Sequence, residues 1–265
     1  MAPLLLTLGR GALTGLTKRP SAASRLTPAR LTREAVRIDP ARAAAYARVC
    51  GYEPGPVLPL TYPHILGFPL AARLMAARAF PLPLLGLVHT SITVRRLHAL
   101  TVTDRPDLTV RTEGLRPHRR GTEVVVVTEA HLGGRLVWQD ASTYLARHRV
   151  PDQGASGAAA PGPRLPLVET WQLPGDLGRR HARVSGDYNP IHLSAPTARP
   201  FGFPRAIVHG MWTVARCGAL AAEANVLEAE FRRPVLLPST VEFAASGSAF
   251  EVRSPSGVHV VGTMS

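Results

Sequence analysis

Residues 207–225 read IVHGMWTVARCGALAAEAN. Apolar side chains stand nearly all round this segment when it is wound as a helix, so it belongs in an interior rather than on a surface. The residues beyond it supply the cover. FRRPVLLPSTVEF (231–243), SAFEVRS (248–254) and GVHVVGTMS (257–265) read as strands with turn residues between them. One buried helix succeeded by a run of antiparallel strands is an α+β unit, with the sheet curved around the helix.

The same order occurs upstream. In HILGFPLAARLMAARAF (64–80) the apolar residues fit a buried helix from Leu70 to Phe80, which Pro81 and Pro83 end. GLVHTSITVRRL (86–97), LTVRTEGLRP (108–117), TEVVVVTEAHL (122–132) and RLVWQDASTYLARH (135–148) then read as strands, the last two joined by a hairpin turn at Gly133-Gly134. PARAAAYARV (40–49) suggests a short helix, LVETWQL (167–173) a strand and GDLGRRHARVSGDY (175–188) another short helix. The pattern of elements repeats, without residue-level identity. Residues 151–166, PDQGASGAAAPGPRLP, are a linker by composition. The expected organisation is a basic arm over 1–50, a first α+β unit over 51–150, the linker, and a second unit over 167–265.

Composition narrows the function classes. With 45% apolar and 18% charged residues the 265-residue chain suits a globular core, not disorder. No apolar run approaches the ~20 residues of a membrane span, and MAPLLLTLGRGALTGLTKRP makes a poor signal peptide because Gly9 and Arg10 break its apolar stretch. Cys50 and Cys217 sit in no metal-like spacing and read as two reduced, buried thiols of a cytoplasmic protein. The net charge of +13 is carried almost wholly by arginine, Lys18 being the only lysine, and residues 1–50 hold nine of the 31 basic residues. No zinc-finger spacing or aromatic-interleaved basic strand points to nucleic acid. The charge suits phosphates of a small molecule or an acidic carrier protein.

The chemistry concentrates in residues 184–192, VSGDYNPIH. Pro190 lacks a backbone donor and forces Asn189 out of helical geometry. A turn there brings Asp187 and His192 onto one pocket, which an unbroken helix would hold about 140° apart. Asn189 can hold such a turn through its own backbone. A carboxylate and an imidazole sharing one water are suited to general acid–base chemistry near neutral pH.

The longer stretch RVSGDYNPIHLSAPTARPFGFPRAIVHGMW (183–212) resembles the hydratase motif of the MaoC-like dehydratases, which include the (R)-specific enoyl-CoA hydratases. Ser185, Gly186, Asp187, Tyr188, Asn189, Pro190, Ile191 and His192 match the motif, and His209-Gly210 comes next at the family's spacing. Ala206 stands where many members carry proline, and Ser194 where an acidic residue is frequent.

The resemblance implies a double hot-dog: two long buried helices, each wrapped by a curved antiparallel sheet. It implies that Asp187 and His192 are the catalytic pair acting on one water, that Asn189 supports them, and that Phe231 lines the substrate site. Gly210, opening a helix, is the expected oxyanion donor through its N–H. The implied reaction is reversible hydration of trans-2-enoyl thioesters to (R)-3-hydroxyacyl thioesters, carried by coenzyme A or acyl carrier protein. No metal or organic cofactor and no nucleic acid is implied; monomer and homodimer both suit the fold. The alternative is a silent acyl-thioester binder, or the partner subunit of a hydratase complex. The first unit carries no Asp-x-Asn-Pro-x-His, and its His64 and His89 read as structural.

Overall fold

The computed structural model describes residues 18, 26, 28–84, 86–150 and 164–265. The signal-peptide reading and most of the linker, 151–163, lie outside the described residues.

Among the described residues ten strands form one antiparallel sheet. In chain order they are β1 (Arg30–Arg33), β2 (Leu87–Arg96), β3 (Asp107–His118), β4 (Gly121–Leu132), β5 (Arg135–Arg147), β6 (Leu167–Leu173), β7 (Val226–Phe231), β8 (Ser239–Ser246), β9 (Ala249–Ser254) and β10 (Gly257–Met264). Across the sheet the order is β1-β3-β4-β5-β2-β7-β10-β9-β8-β6. Outward from the β2–β7 seam, the two sides are the same: β2, β5, β4, β3, β1 against β7, β10, β9, β8, β6. The helices repeat too. α1 (Pro40–Cys50) and α2 (Tyr62–Ala76) precede β2, as α3 (Leu177–Ser185), the one-turn α4 (Ala195–Ala198) and α5 (Gly210–Ala219) precede β7. The chain is therefore an α+β double hot-dog, with α2 and α5 as the two core helices. The sheets of the two halves join at the seam through pairs such as Ile92 with Ala229 and Val94 with Leu227.

Three elements differ from the sequence reading. α2 runs over Tyr62–Ala76, not Leu70–Phe80. Pro63 occupies its first turn, where a missing N–H costs nothing, and Pro69 is accommodated in its interior. Burial of Ile65, Leu70, Leu74 and Met75 against the sheet offsets the lost hydrogen bond. α5 stops at Ala219, and Val226–Phe231 forms β7. Residues 231–243 thus split between the end of β7, a connection containing Pro234 and Pro238, and the start of β8. Finally, the expected basic arm contains a strand, β1, beside the short helix expected over 40–49, which is α1; they occupy in the first half the places of β6 and α3 in the second. β1 pairs with β3, Leu31 opposite Val110. α1 begins at Asp39, whose carboxylate accepts from the N–H groups of Ala41 and Arg42, and ends at Gly51.

One continuous apolar core runs through both halves, from Val36 and Tyr46 through Ile92 and Trp138 to Trp212 and Phe250. Buried indole N–H groups tie elements across it: Trp138 donates to the Leu60 carbonyl at 2.7 Å and Trp212 to that of Val49 at 2.8 Å. The Gly133-Gly134 turn joins β4 to β5 with both φ angles positive (55° and 79°), as a tight hairpin of the sheet's twist requires. Cys50 and Cys217 are free and buried. Among the described residues no helix is long and apolar enough to cross a membrane.

Candidate active site

α3 ends at Gly186, and the chain leaves it through a turn built from its own side chains. The Asp187 N–H donates to Ser185 Oγ at 3.1 Å, the Asn189 N–H to Asp187 Oδ1 at 3.1 Å, and the Ile191 N–H to Asn189 Oδ1 at 3.4 Å. Pro190–His192 then makes one 3₁₀ turn, closed by His192 N–H donating to the Asn189 carbonyl at 3.0 Å. Short polar side chains bonding nearby backbone explain why helix is abandoned here. The next loop returns to the turn: the Ile207 N–H donates to the Ile191 carbonyl at 3.0 Å.

That return delivers His209 to His192. Their rings stack with centroids 3.7 Å apart and planes inclined 24°. Asp187 joins them, each of the three offering a side-chain atom within 4.8 Å of the others. His192 and His209 are buried at 8% and 2% exposure, whereas the Asp187 side chain keeps 28%. The carboxylate is the part of the site that faces outward.

Hydrogen bonds assign the ring nitrogens. His192 Nδ1 lies 2.8 Å from the Ile207 carbonyl, so Nδ1 carries the proton and Nε2 keeps a lone pair. His209 Nε2 lies 3.0 Å from the Asp187 carbonyl and 3.8 Å from Asp187 Oδ2, so it donates towards Asp187. Burial pushes His192 down to about 3; neighbouring His209 adds to this, and Asp187 opposes it. Burial likewise pushes His209 down to about 4, against its bond to the Asp187 backbone. Both imidazoles are neutral near pH 7.

Gly210 is the first residue of α5, and within that helix its N–H has no carbonyl four residues back to bond. A Cβ at Gly210 would lie 2.7 Å from Phe231 Cε1. Glycine is therefore required here for close packing, and Phe231 is brought against the helix start. The ring of His89 lies 4.8 Å from that of Phe231 and 4.6 Å from that of Tyr144. Asp187, Asn189 and His192 thus share one turn, with His209 stacked on it; Gly210 and Phe231 meet one another at the adjoining helix end.

Several residues around the site carry little or no local signal in the sequence. Arg42, on α1, donates from Nε to the Val184 carbonyl at 2.7 Å and from Nη2 to that of Ser185 at 2.9 Å. It caps α3 at the residue before Gly186, supplying a cation where helix carbonyls are unpaired. Gly178 lets α3 approach the Asp187–His192 turn: a Cβ there would lie 1.9 Å from the His192 carbonyl oxygen. A glycine inside a helix could have flagged it. His181 stacks obliquely on His209 at 4.6 Å. His64 does have an acidic partner, Asp140 Oδ2 at 2.7 Å, which the sequence hides because 76 residues separate them.

Three side chains so close can enclose one small guest, a metal ion or a water. Each imidazole has one nitrogen turned onto a backbone carbonyl, leaving one free.

Residues 175–263 match the family described as MaoC like domain. The chain is 37% identical over 219 residues to 3-hydroxyacyl-thioester dehydratase X of Mycobacterium tuberculosis, covering 79% of this chain and 77% of that one. The crystal structure of HtdX from the same organism superposes with a TM-score of 0.79 at 34% identity, over 89% of this chain and 99% of that chain. A MaoC-like dehydratase from Phytophthora capsici shares the fold, with TM-score 0.70 and 19% identity over 96% of this chain and 97% of that one.

Proposed function

The chain belongs to the MaoC-like dehydratases, and from that premise we propose that Asp187 and His192 hydrate trans-2-enoyl thioesters through a single water. It is a hydro-lyase of the hydratase/dehydratase type acting on hydroxyacyl thioesters. The product is the (R)-3-hydroxyacyl thioester, and the reverse reaction is its dehydration. The carrier is coenzyme A or acyl carrier protein.

The observation that carries this reading is the state of His192. Its Nδ1–H is committed to the Ile207 carbonyl and burial keeps the ring neutral, so Nε2 is an acceptor at working pH. The nearby Asp187 carboxylate is a second acceptor. Asp187 and His192 each offer a side-chain atom within 4.8 Å of the other's, a span that one water bridges at ordinary hydrogen-bond length, giving one proton to each acceptor. The water oxygen bonds to C3 while the C2–C3 π bond opens. The pair takes up one water proton and returns one to C2, so the sum is one added water. Charge developing on the thioester oxygen is met by the Gly210 N–H at the positive end of α5. Phe231 lines the acyl side. Asn189 holds the turn through Asp187 Oδ1 and the Ile191 N–H. His209 is a positioning residue: it stacks on His192 and donates to the Asp187 backbone.

The test is loss of the enoyl-thioester absorbance band when protein is mixed with crotonyl-coenzyme A, and separately with crotonyl acyl carrier protein. Coupling to an (R)-specific 3-hydroxyacyl dehydrogenase reads the stereochemistry. Turnover in either arm that feeds the coupled enzyme supports the reading; thioester binding without turnover in both arms identifies a silent binder instead.

A further inference from the structure

Along β5 the inner face of the first half's sheet carries a polar strip, although the cross-strand neighbours Ile92, Val94 and Val126 are buried and apolar. Asp140, Ser142 and Tyr144 alternate along β5 and so share one face. His89 on β2 stands opposite Tyr144 in register. His64, from α2, closes the row by bonding Asp140 Oδ2. Asp140 and Ser142 are each only 1% exposed. Yet Asp140 Oδ1 and His89 Nε2 find no hydrogen-bond partner among the described residues, and Ser142 Oγ has none at hydrogen-bond geometry, although the Tyr144 phenol interacts with it. Buried polar groups are ordinarily paired, because leaving them bare forfeits their hydration.

This row adjoins the proposed active site. The His89 ring lies 4.8 Å from that of Phe231, which packs on Gly210 at the start of α5, and 4.6 Å from that of Tyr144. Burial pushes the Tyr144 phenol up, and the charges of Asp140 and Asp187 add to this. Past C3 of a bound thioester, the acyl chain that turned inward would meet Phe231, then His89 and Tyr144, then Ser142 and Asp140. A hydrocarbon chain would cover these atoms and leave them unpaired. A hydroxyl on the chain could donate to Asp140 Oδ1 and satisfy a neighbour in return.

We propose that His89, Ser142 and Asp140, with His64 holding Asp140, form a polar subsite for an oxygen-bearing acyl chain, and that the enzyme's preferred substrates carry a hydroxyl several carbons beyond the reacting double bond. This rests on the hydratase reading above. Sites built to hydrogen-bond a substrate group discriminate strongly against the analogue lacking it.

The experiment compares kcat/KM for trans-2-octenoyl-coenzyme A with its 5-, 6- and 7-hydroxy derivatives, using the full chain. The expected result is an advantage of about tenfold or more for at least one hydroxylated chain. In Ser142→Ala, and independently in His89→Leu, that ratio falls towards one; being a ratio, it is read from whatever fraction of protein folds. A wild type that treats the four chains alike, or prefers the unsubstituted one, overturns the subsite and assigns the row to ordered water. An advantage that survives in both variants overturns its assignment to these residues. Turnover of crotonyl-coenzyme A in the same preparation separates failure of the subsite from failure of the hydratase reading, which would remove both.

Discussion

Arg42 lies 142 residues before Val184 and bonds its carbonyl oxygen at 2.7 Å, so the first half of the chain holds the end of the helix that leads into the Asp187–His192 turn. A second bond, to Ser185 at 2.9 Å, uses the same guanidinium. Charged hydrogen bonds of this kind contribute about 1.5–3 kcal/mol each. Arg42→Met keeps the aliphatic stem and removes both. It is expected to lower the urea midpoint and to depress kcat more than KM, because Asp187 comes directly after the loosened helix end. Equal stability and kcat in the variant would contradict this role.

Gly178 sets the distance between α3 and His192. An added methyl, placed 1.9 Å from the His192 carbonyl oxygen, forces one of them to move. Overpacking of this sort costs about 1–3 kcal/mol. Gly178→Ala should fold with reduced stability and lose activity out of proportion to that reduction. The check is kcat at a temperature where thermal melts show the variant fully folded.

At the other side of the site, Gly210 and Phe231 are in conflict as soon as either grows. Gly210→Ala is expected to impair both stability and kcat. Phe231→Leu removes the ring that the new Cβ would strike, so the double variant should recover stability relative to Gly210→Ala alone. Activity should not recover with it if the helix start is also the oxyanion site. A double-mutant cycle on both quantities separates packing from catalysis.

Stability should fall as the medium is acidified below the ordinary histidine range. Burial lowers His89 to about 3, His192 to about 3 and His209 to about 4, and lowers His181 as well. Between those values and the unfolded value near 6.5, the unfolded chain binds protons that the folded chain does not. Stability therefore rises with pH through that window and is lost as pH falls through it, by up to about 1.4 kcal/mol per pH unit for each histidine. Urea midpoints measured from pH 7 to pH 4.5 should decline steadily, and His181→Gln should flatten part of the slope. A midpoint independent of pH across this range would count against neutral burial of these rings.

Much of this architecture is legible in the sequence, and the rest is not for physical reasons. The apolar helix after His209 and the strand runs with their Gly and Pro turns are local patterns, and they suffice for two α+β units; the double hot-dog is what the resemblance of residues 183–212 adds. The Asp187–His192 turn is legible because Asn189 and Pro190 enforce it locally. The start of α2 is hidden because Pro63 and Pro69 argue against helix until the tertiary burial of Ile65 and Leu70 is known. β7 is hidden because VLEAEF pairs across the seam with β2, a long-range partner that no local pattern names. Arg42, Gly178 and the His64–Asp140 pair share that character: each acts across a distance in sequence that only folding closes.

The most direct test of the central claim is single-turnover hydration of crotonyl-coenzyme A, or of its carrier-protein thioester, by wild type and Asp187→Asn side by side, with thioester affinity measured for both. Asparagine keeps the shape of the side chain and removes a water-activating acceptor. The expected result is a loss of at least about a thousandfold in the chemical step, in keeping with the size of general acid–base contributions, with affinity within a few-fold of wild type. An Asp187→Asn protein that turns over within tenfold of wild type would show that the chemistry lies elsewhere.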